Sequence, residues 1–234
     1  MIGQRLGLVM AVFLAACGST GPIFNVSDAL YDWVKAPGAV TPGSDQAPVI
    51  ADPVVTFRLD RGDRRSTLQT GESWRTTQTY LFGFDVRLDP RTLGGERLDL
   101  SRLYRNGAPA TELISVQLDA RRGVTVLGRA CIAPAHLATW HRVEMRIRLA
   151  DNDTGYLEVF CDRKPIWARV NMRTTFAPEC RISAGCNRAV PKPERYEWQI
   201  GLMSARGVAR PITVQMQRLH YRVLFYKPNR VGTL

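Results

Sequence analysis

WHRVEMRIRLADNDTGYLEVFCD, residues 140–162, is the stretch whose reading decides the fold. Val143, Met145, Ile147 and Leu149 alternate with Arg142, Glu144, Arg146 and Arg148. A period of two puts the apolar side chains on one face and the charged ones on the other, which is the pattern of a strand with one buried face. A helix would scatter the same four apolar residues around its axis. Asp151-Asn152-Asp153-Thr154-Gly155 then interrupts with turn-forming residues, and Tyr156 to Cys161 resumes the alternation. Residues 142–162 are therefore predicted to form a β-hairpin.

The same period recurs on either side. Tyr80, Phe82, Phe84, Val86 and Leu88 share a face opposite Leu81, Gly83, Asp85 and Arg87. Leu113 to Leu118 and Val124 to Arg129 predict a second hairpin around Arg122-Gly123. Val54 to Leu59, Tyr196 to Met203 and Ile212 to Tyr226 complete the set. The last run changes phase near Gln217-Arg218, as a β-bulge would cause. No long helical period appears, so the expected class is all-β, a β-sandwich or jelly roll. Composition agrees: 234 residues, 45% hydrophobic and 23% charged with 14 prolines, exclude a disordered chain and a coiled coil. No run of about 18 apolar residues occurs, so no membrane-spanning helix is expected in the mature protein.

The N-terminus reads as an address. Arg5 precedes an apolar segment, Leu6 to Ala15, of signal-peptide length. Leu14-Ala15-Ala16-Cys17 resembles the lipobox of bacterial lipoproteins. That resemblance implies removal of residues 1–16 and acylation of Cys17 (palmitate among the chains). Gly18 in place of Asp implies the outer membrane if the envelope is Gram-negative. Residues 17–53 read as a tether rich in Gly, Pro, Ser and Ala, with a short helix expected over Asp28 to Lys35 after Ser27 as cap. The sandwich is expected over 54–226 and a tail over 227–234. Export leaves Cys131, Cys161, Cys180 and Cys186 in an oxidising compartment, where an even count reads as disulfides with three possible connectivities. Cys180 and Cys186 close a short loop flanked by Pro178 and Pro191, which favours Cys180–Cys186 and Cys131–Cys161. A zinc site, the competing reading, lacks any CxxC spacing.

Trp140-His141, the Asp153-Thr154-Gly155-Tyr156 turn and Leu157-Glu158-Val159-Phe160-Cys161-Asp162 resemble the "W-H … D-G-x-L-E-V-x-x-D-G" hairpin of concanavalin A-like polysaccharide lyases, of the heparin-lyase-I-like and alginate-lyase-like groups. Tyr80 to Phe84 resembles their "W-Y-G-F" strand and Tyr196 to Met203 their late "Y-F-K-x-G" strand. The likeness covers about residues 54–226 and implies the jelly-roll fold. It also implies β-elimination chemistry, in which cationic or amide groups neutralise a uronate carboxylate while a Tyr or His takes and gives the proton. Arg65-Ser66-Thr67-Leu68 matches the family's "R-S-E-L" strand except at Thr67. The "Q-I-H" strand falls at Arg102-Leu103-Tyr104, which has neither Gln nor His, and the late-strand catalytic Tyr falls at Met203. The catalytic candidates are Arg65, Arg102, Tyr104 and His141, with His136 and His220 as further possible bases. His141 beside Trp140 also suits a framework role.

Charge adds a second theme. Lys and Arg number 32 against 21 Asp and Glu, for a net charge of +11, and only Lys35, Lys164, Lys192 and Lys227 are lysines. After Glu197 there is no acid, while Arg206, Arg210, Arg218, Arg222, Lys227 and Arg230 follow. Arg suits bidentate contact with carboxylates and sulfates; a GC-rich genome, which encodes Arg where another would use Lys, and a solvated face are the plainer explanation. Arg218, His220 and Arg222 are expected to face solvent or the concave groove and, with Arg65, Arg102 and Tyr104, to contact glycan. Nucleic acid is not an expected partner of an exported lipoprotein. Asp151 and Asp153 read as a hairpin turn, with Ca²⁺ ligation the alternative; no other cofactor is implied. The expected function is an envelope-anchored lipoprotein that binds acidic polysaccharide without the usual lyase set. The alternatives are an active lyase with an atypical site and a structural envelope lipoprotein that binds other proteins. No feature reports the oligomeric state.

Overall fold

The computed structural model describes residues 30–32, 44–51, 53–69, 77–105, 111–175 and 196–224. They form strands β1 (Leu30–Asp32), β2 (Val49–Ala51), β3 (Val54–Leu59), β4 (Arg65–Gln69), β5 (Thr79–Arg87), β6 (Arg97–Arg105) and β7 (Thr111–Asp119). These are followed by β8 (Gly123–Val126), β9 (Arg129–Ile132), β10 (His141–Arg148), β11 (Gly155–Cys161), β12 (Lys164–Met172), β13 (Tyr196–Met203) and β14 (Ile212–Leu224). Two antiparallel sheets result. The eight-stranded sheet runs β12-β11-β10-β5-β14-β3-β2, with β1 pairing β14, and the six-stranded sheet runs β4-β13-β6-β7-β8-β9.

Period-two alternation places the core between them. Phe82, Phe84, Val143, Met145, Val159, Val214 and Met216 from the larger sheet meet Leu68, Leu103, Val116, Trp198 and Ile200 from the smaller, all buried. The hairpin read from residues 142–162 is β10 and β11, with Val143 opposite Cys161 and Ile147 opposite Leu157. Strands β3 and β13 have the expected bounds. The bulge in β14 also stands: its register against β5 shifts between Gln217 and His220, where Arg218 has φ +50°.

Other expectations are corrected. Within the span expected to be helical, Asp28 to Lys35, the described residues Leu30–Asp32 form strand β1; the remainder lies outside the described residues. Val124 to Arg129 is two strands, because Leu127 and Gly128 take positive φ (49° and 76°) and close a tight turn between β8 and β9. β12 has no counterpart among the expected strands. It is a sheet edge exposed on most positions, so burial imposes no alternation on its sequence. Residues 44–51, counted with the tether, lie on the sandwich. Asp45 accepts from the N–H groups of Arg64 (2.7 Å) and Arg65 (2.9 Å), and Ser44 Oγ accepts from Thr67 N at 3.2 Å. These bonds satisfy the free edge of β4, which would otherwise offer an open ladder.

Cys131 on β9 and Cys161 on β11 form a disulfide with Cα atoms 5.5 Å apart, tying the edge of the smaller sheet to the larger. Cys17, Cys180 and Cys186 lie outside the described residues.

Candidate functional site

Three segments far apart in sequence, each singled out for a motif, become neighbours in the order β4-β13-β6. Met203 pairs with Arg65 on one side and with Asp99 on the other, Gln199 with Gln69 and Arg102, and Glu197 with Tyr104. Tyr196, Trp198, Ile200 and Leu202 point into the core, and Trp198 Nε1 donates to Ser101 Oγ at 2.6 Å, fixing β13 on β6. Alternation therefore sends Arg65, Thr67, Glu197, Gln199, Met203, Asp99, Arg102 and Tyr104 to the outer face of the six-stranded sheet.

These side chains differ in how far they are committed. Tyr104 donates its phenolic proton to Glu197 Oε2 at 2.7 Å, and Gln199 Nε2 donates to the Tyr104 oxygen at 3.2 Å. Burial, and next the Glu197 carboxylate, push the Tyr104 phenol far above its ordinary range, against a smaller opposite pull from Arg65. The phenol accordingly stays protonated at neutral pH. Arg102 is held by Asp99 and lies 3.4 Å from Glu112. The Arg65 guanidinium has no hydrogen-bond or ion-pair partner among the described residues, and it is only partly buried. Glu197 and Gln199 escaped the sequence reading. Their one signal was being the polar positions of a strand whose other residues are nearly all buried.

The stripe on β14 points outward but does not join this face. β14 belongs to the eight-stranded sheet, between β5 and β3, so Arg218, His220 and Arg222 emerge on the opposite outer face of the sandwich. Arg218 is also engaged by a buried acid through its Nε. Its Nε lies 2.7 Å from Asp85 Oδ2, and the Asp85 side chain is only 4% exposed. Arg142 Nε stands 3.8 Å from the other oxygen, and Gln217 donates at 3.3 Å. His220 Nδ1 donates to the Arg218 carbonyl at 2.8 Å, and Nε2 lies 3.7 Å from Glu144 Oε2. Gly83 makes that approach possible. It pairs with both Glu144 and His220, and a Cβ there would stand 2.6 Å from the Val143 oxygen. Burial is the main cause that holds the His220 pKa below its ordinary value.

His141 starts β10 with both ring nitrogens engaged. Nδ1 meets Asp162 Oδ2 at 2.7 Å and Nε2 meets Thr139 Oγ1 at 2.9 Å. Asp162 also accepts from Arg142 N at 2.8 Å. Burial alone would raise the Asp162 pKa, but the bonds from His141 and Arg142 outweigh it and hold it low. The arrangement clamps the β11–β12 turn to the start of β10, the framework role. His136 is exposed, its ring centroid 6.0 Å from that of His141. Asp151 and Asp153 sit in an exposed turn where Asn152 accepts from Thr154, and no group of three metal-binding side chains gathers among the described residues.

An all-β sandwich with these motif strands side by side is a jelly roll of polysaccharide-lyase-like form. Solved structures carry the same fold at low identity. An endo-β-1,4-glucuronan lyase from the fungus Trichoderma reesei superimposes with a TM-score of 0.52 at 14% identity, over 88% of this chain and 92% of its own. An alginate lyase from Chlorella virus gives 0.53 at 7%, over 78% and 90%. A further alginate lyase, in complex with an alginate tetrasaccharide, gives 0.53 at 10%, over 82% and 88%. No protein-family model and no curated protein sequence matches the chain.

Proposed function

We propose that this chain is an envelope-anchored lipoprotein whose six-stranded sheet binds acidic polysaccharide on its outer face without performing lyase chemistry. The lipobox-like Cys17 supports the anchor, with the outer membrane as its place in a Gram-negative envelope. The observation that carries the binding role is Arg65, a guanidinium without a hydrogen-bond or ion-pair partner among the described residues, on the same outer face as the Gln199–Tyr104–Glu197 chain of hydrogen bonds and with its charge felt at Tyr104. A guanidinium with adjacent amide and hydroxyl groups suits a uronate carboxylate flanked by sugar hydroxyls. Glucuronan and alginate, named for the structural neighbours, are both uronate polymers. Against elimination stands Tyr104. A base must take up the substrate's proton, whereas this phenol already carries one and donates it to Glu197 at 2.7 Å.

The second reading, an atypical lyase, draws on the same Gln199–Tyr104 contact, since amide, guanidinium and phenol are the groups elimination requires. Incubation with glucuronan and alginate separates the two. Binding is expected without the ultraviolet absorbance of an unsaturated uronate, and Arg65→Ala should weaken it by about tenfold, the scale of one charge-assisted hydrogen bond. Appearance of the chromophore would establish the lyase. Unchanged affinity in the variant would remove Arg65 from the site.

A further inference from the structure

The outer face of the eight-stranded sheet holds charge that the glycan site does not use. On β5, β10, β11 and β14 it presents Arg87, Arg142, Arg146, Arg148, Arg218 and Arg222 against only three acids, Asp85, Glu144 and Glu158. Those acids are already taken. Asp85 holds Arg218 and Arg142, Glu144 lies near Arg142 and His220, and Glu158 accepts from Arg146 at 2.9 Å. Arg87 donates to Gln215 and lies over the Trp140 ring. Among the described residues no carboxylate comes within ion-pair distance of Arg148 or Arg222. Their Nε atoms are covered and unbonded, so a partner must meet the terminal amino groups.

The register sets their spacing. One row across the strands reads Glu158, Arg146, Leu81, Arg222, and the next reads Tyr156, Arg148, Thr79, Leu224. Strands lie about 4.8 Å apart, so Arg222 stands ~10 Å across the sheet from the β10 arginines. Two cations that far apart on one face suit an array of separate anions better than a single bound ion. The chain's path supplies the occupant. Leu30 of β1 pairs with Arg222, and only residues 18–29 separate it from Cys17. Those residues span at most ~40 Å when extended. On the anchor reading, the acylated end thus joins the domain through β1, beside Arg222.

We propose that this face docks on the anionic headgroups of the membrane that holds the anchor, through Arg148 and Arg222. The proposal rests on the anchor reading, and mass analysis of Cys17 acylation tests that reading separately. The full chain is mixed with phosphatidylcholine vesicles with and without phosphatidylglycerol, so that binding by the N-terminal segment is common to both. Preference for the anionic vesicles should be about tenfold or more, should vanish in high salt, and should be lost in Arg148→Gln plus Arg222→Gln. Arg148→Lys plus Arg222→Lys should retain it, as should Arg65→Ala on the opposite face. A wild type without that preference, or a Gln double variant that keeps it while folded, would overturn the proposal. So would loss of uronate-polymer binding in the double variant with vesicle binding intact, which would make this a second glycan face.

Discussion

Arg218 and Arg222 lie four residues apart on β14 with the same charge, yet only Arg218 has a buried acid to serve. Asp85 sits under the bulge with one oxygen against Arg218 Nε and the other left without a hydrogen bond. Removing Arg218 leaves that carboxylate with Arg142 at 3.8 Å and Gln217. Arg218→Ala should therefore destabilise the fold by about 1–3 kcal/mol, read from the denaturant midpoint. Arg222→Ala should stay within about 0.5 kcal/mol. Equal effects would mean that the Asp85 pair adds nothing. His220 makes a pH prediction. Its folded pKa lies below the unfolded value of 6.5, so the unfolded chain takes up a proton first as pH falls. Stability should drop from about pH 6.5 downward until the folded pKa is passed. His220→Gln should flatten the melting temperature across that window, and an unchanged slope would assign it to other groups.

At the scale of elements, the Cys131–Cys161 bridge joins β9 to β11 across the two sheets and spans 30 positions of sequence. Chain-entropy arguments give about 3–4 kcal/mol for a loop of that length. Reduction, or Cys131→Ala plus Cys161→Ala, should lower the unfolding free energy by that amount while the far edge β4, strapped by Ser44 and Asp45, keeps its amide protection. Peptide mapping without reductant should recover the Cys131–Cys161 pair. Free thiols at both positions would refute the bridge. Elements were legible where one face is buried, as in β5, β10 and β11. Periodicity did not reveal β6, which only the motif resemblance at Arg102-Leu103-Tyr104 located, because a register shift between Asp99 and Ser101 breaks the alternation of Leu98 and Leu100 with Leu103. β12 was hidden by exposure on both faces.

For the whole molecule, the two outer faces differ in how their charge is arranged. The six-stranded sheet carries on its outer face the Gln199–Tyr104–Glu197 hydrogen bonds and Arg65, which has no ion-pair partner among the described residues; this is the face proposed to take a carboxylated sugar. The eight-stranded sheet offers dispersed positive charge near the chain's entry point. The anchor is what would fix their orientation. Cys17→Ser should abolish lipid labelling and leave unprocessed precursor, and a wild-type mature chain that begins elsewhere would remove the anchor from this account.

Alternation, turn residues and the lipobox-like Cys17 were enough, as sequence alone, to specify an all-β sandwich and an expected address, because burial of one strand face is written locally at every second residue. The sequence also marked Arg65, Arg102 and Tyr104 through their motif strands. Only the tertiary structure decided which side of the sandwich each candidate faces. Strands β4, β13 and β6 come from distant parts of the chain, and no local pattern states that the strand of Gln199 and Glu197 will lie between those of Arg65 and Tyr104. Likewise, a strand's periodicity says which residues leave the core but not which of the two sheets it joins. That choice, set by the pairing of β14 with β5 and β3, separates Arg218, His220 and Arg222 from the face that carries Arg65 and Tyr104.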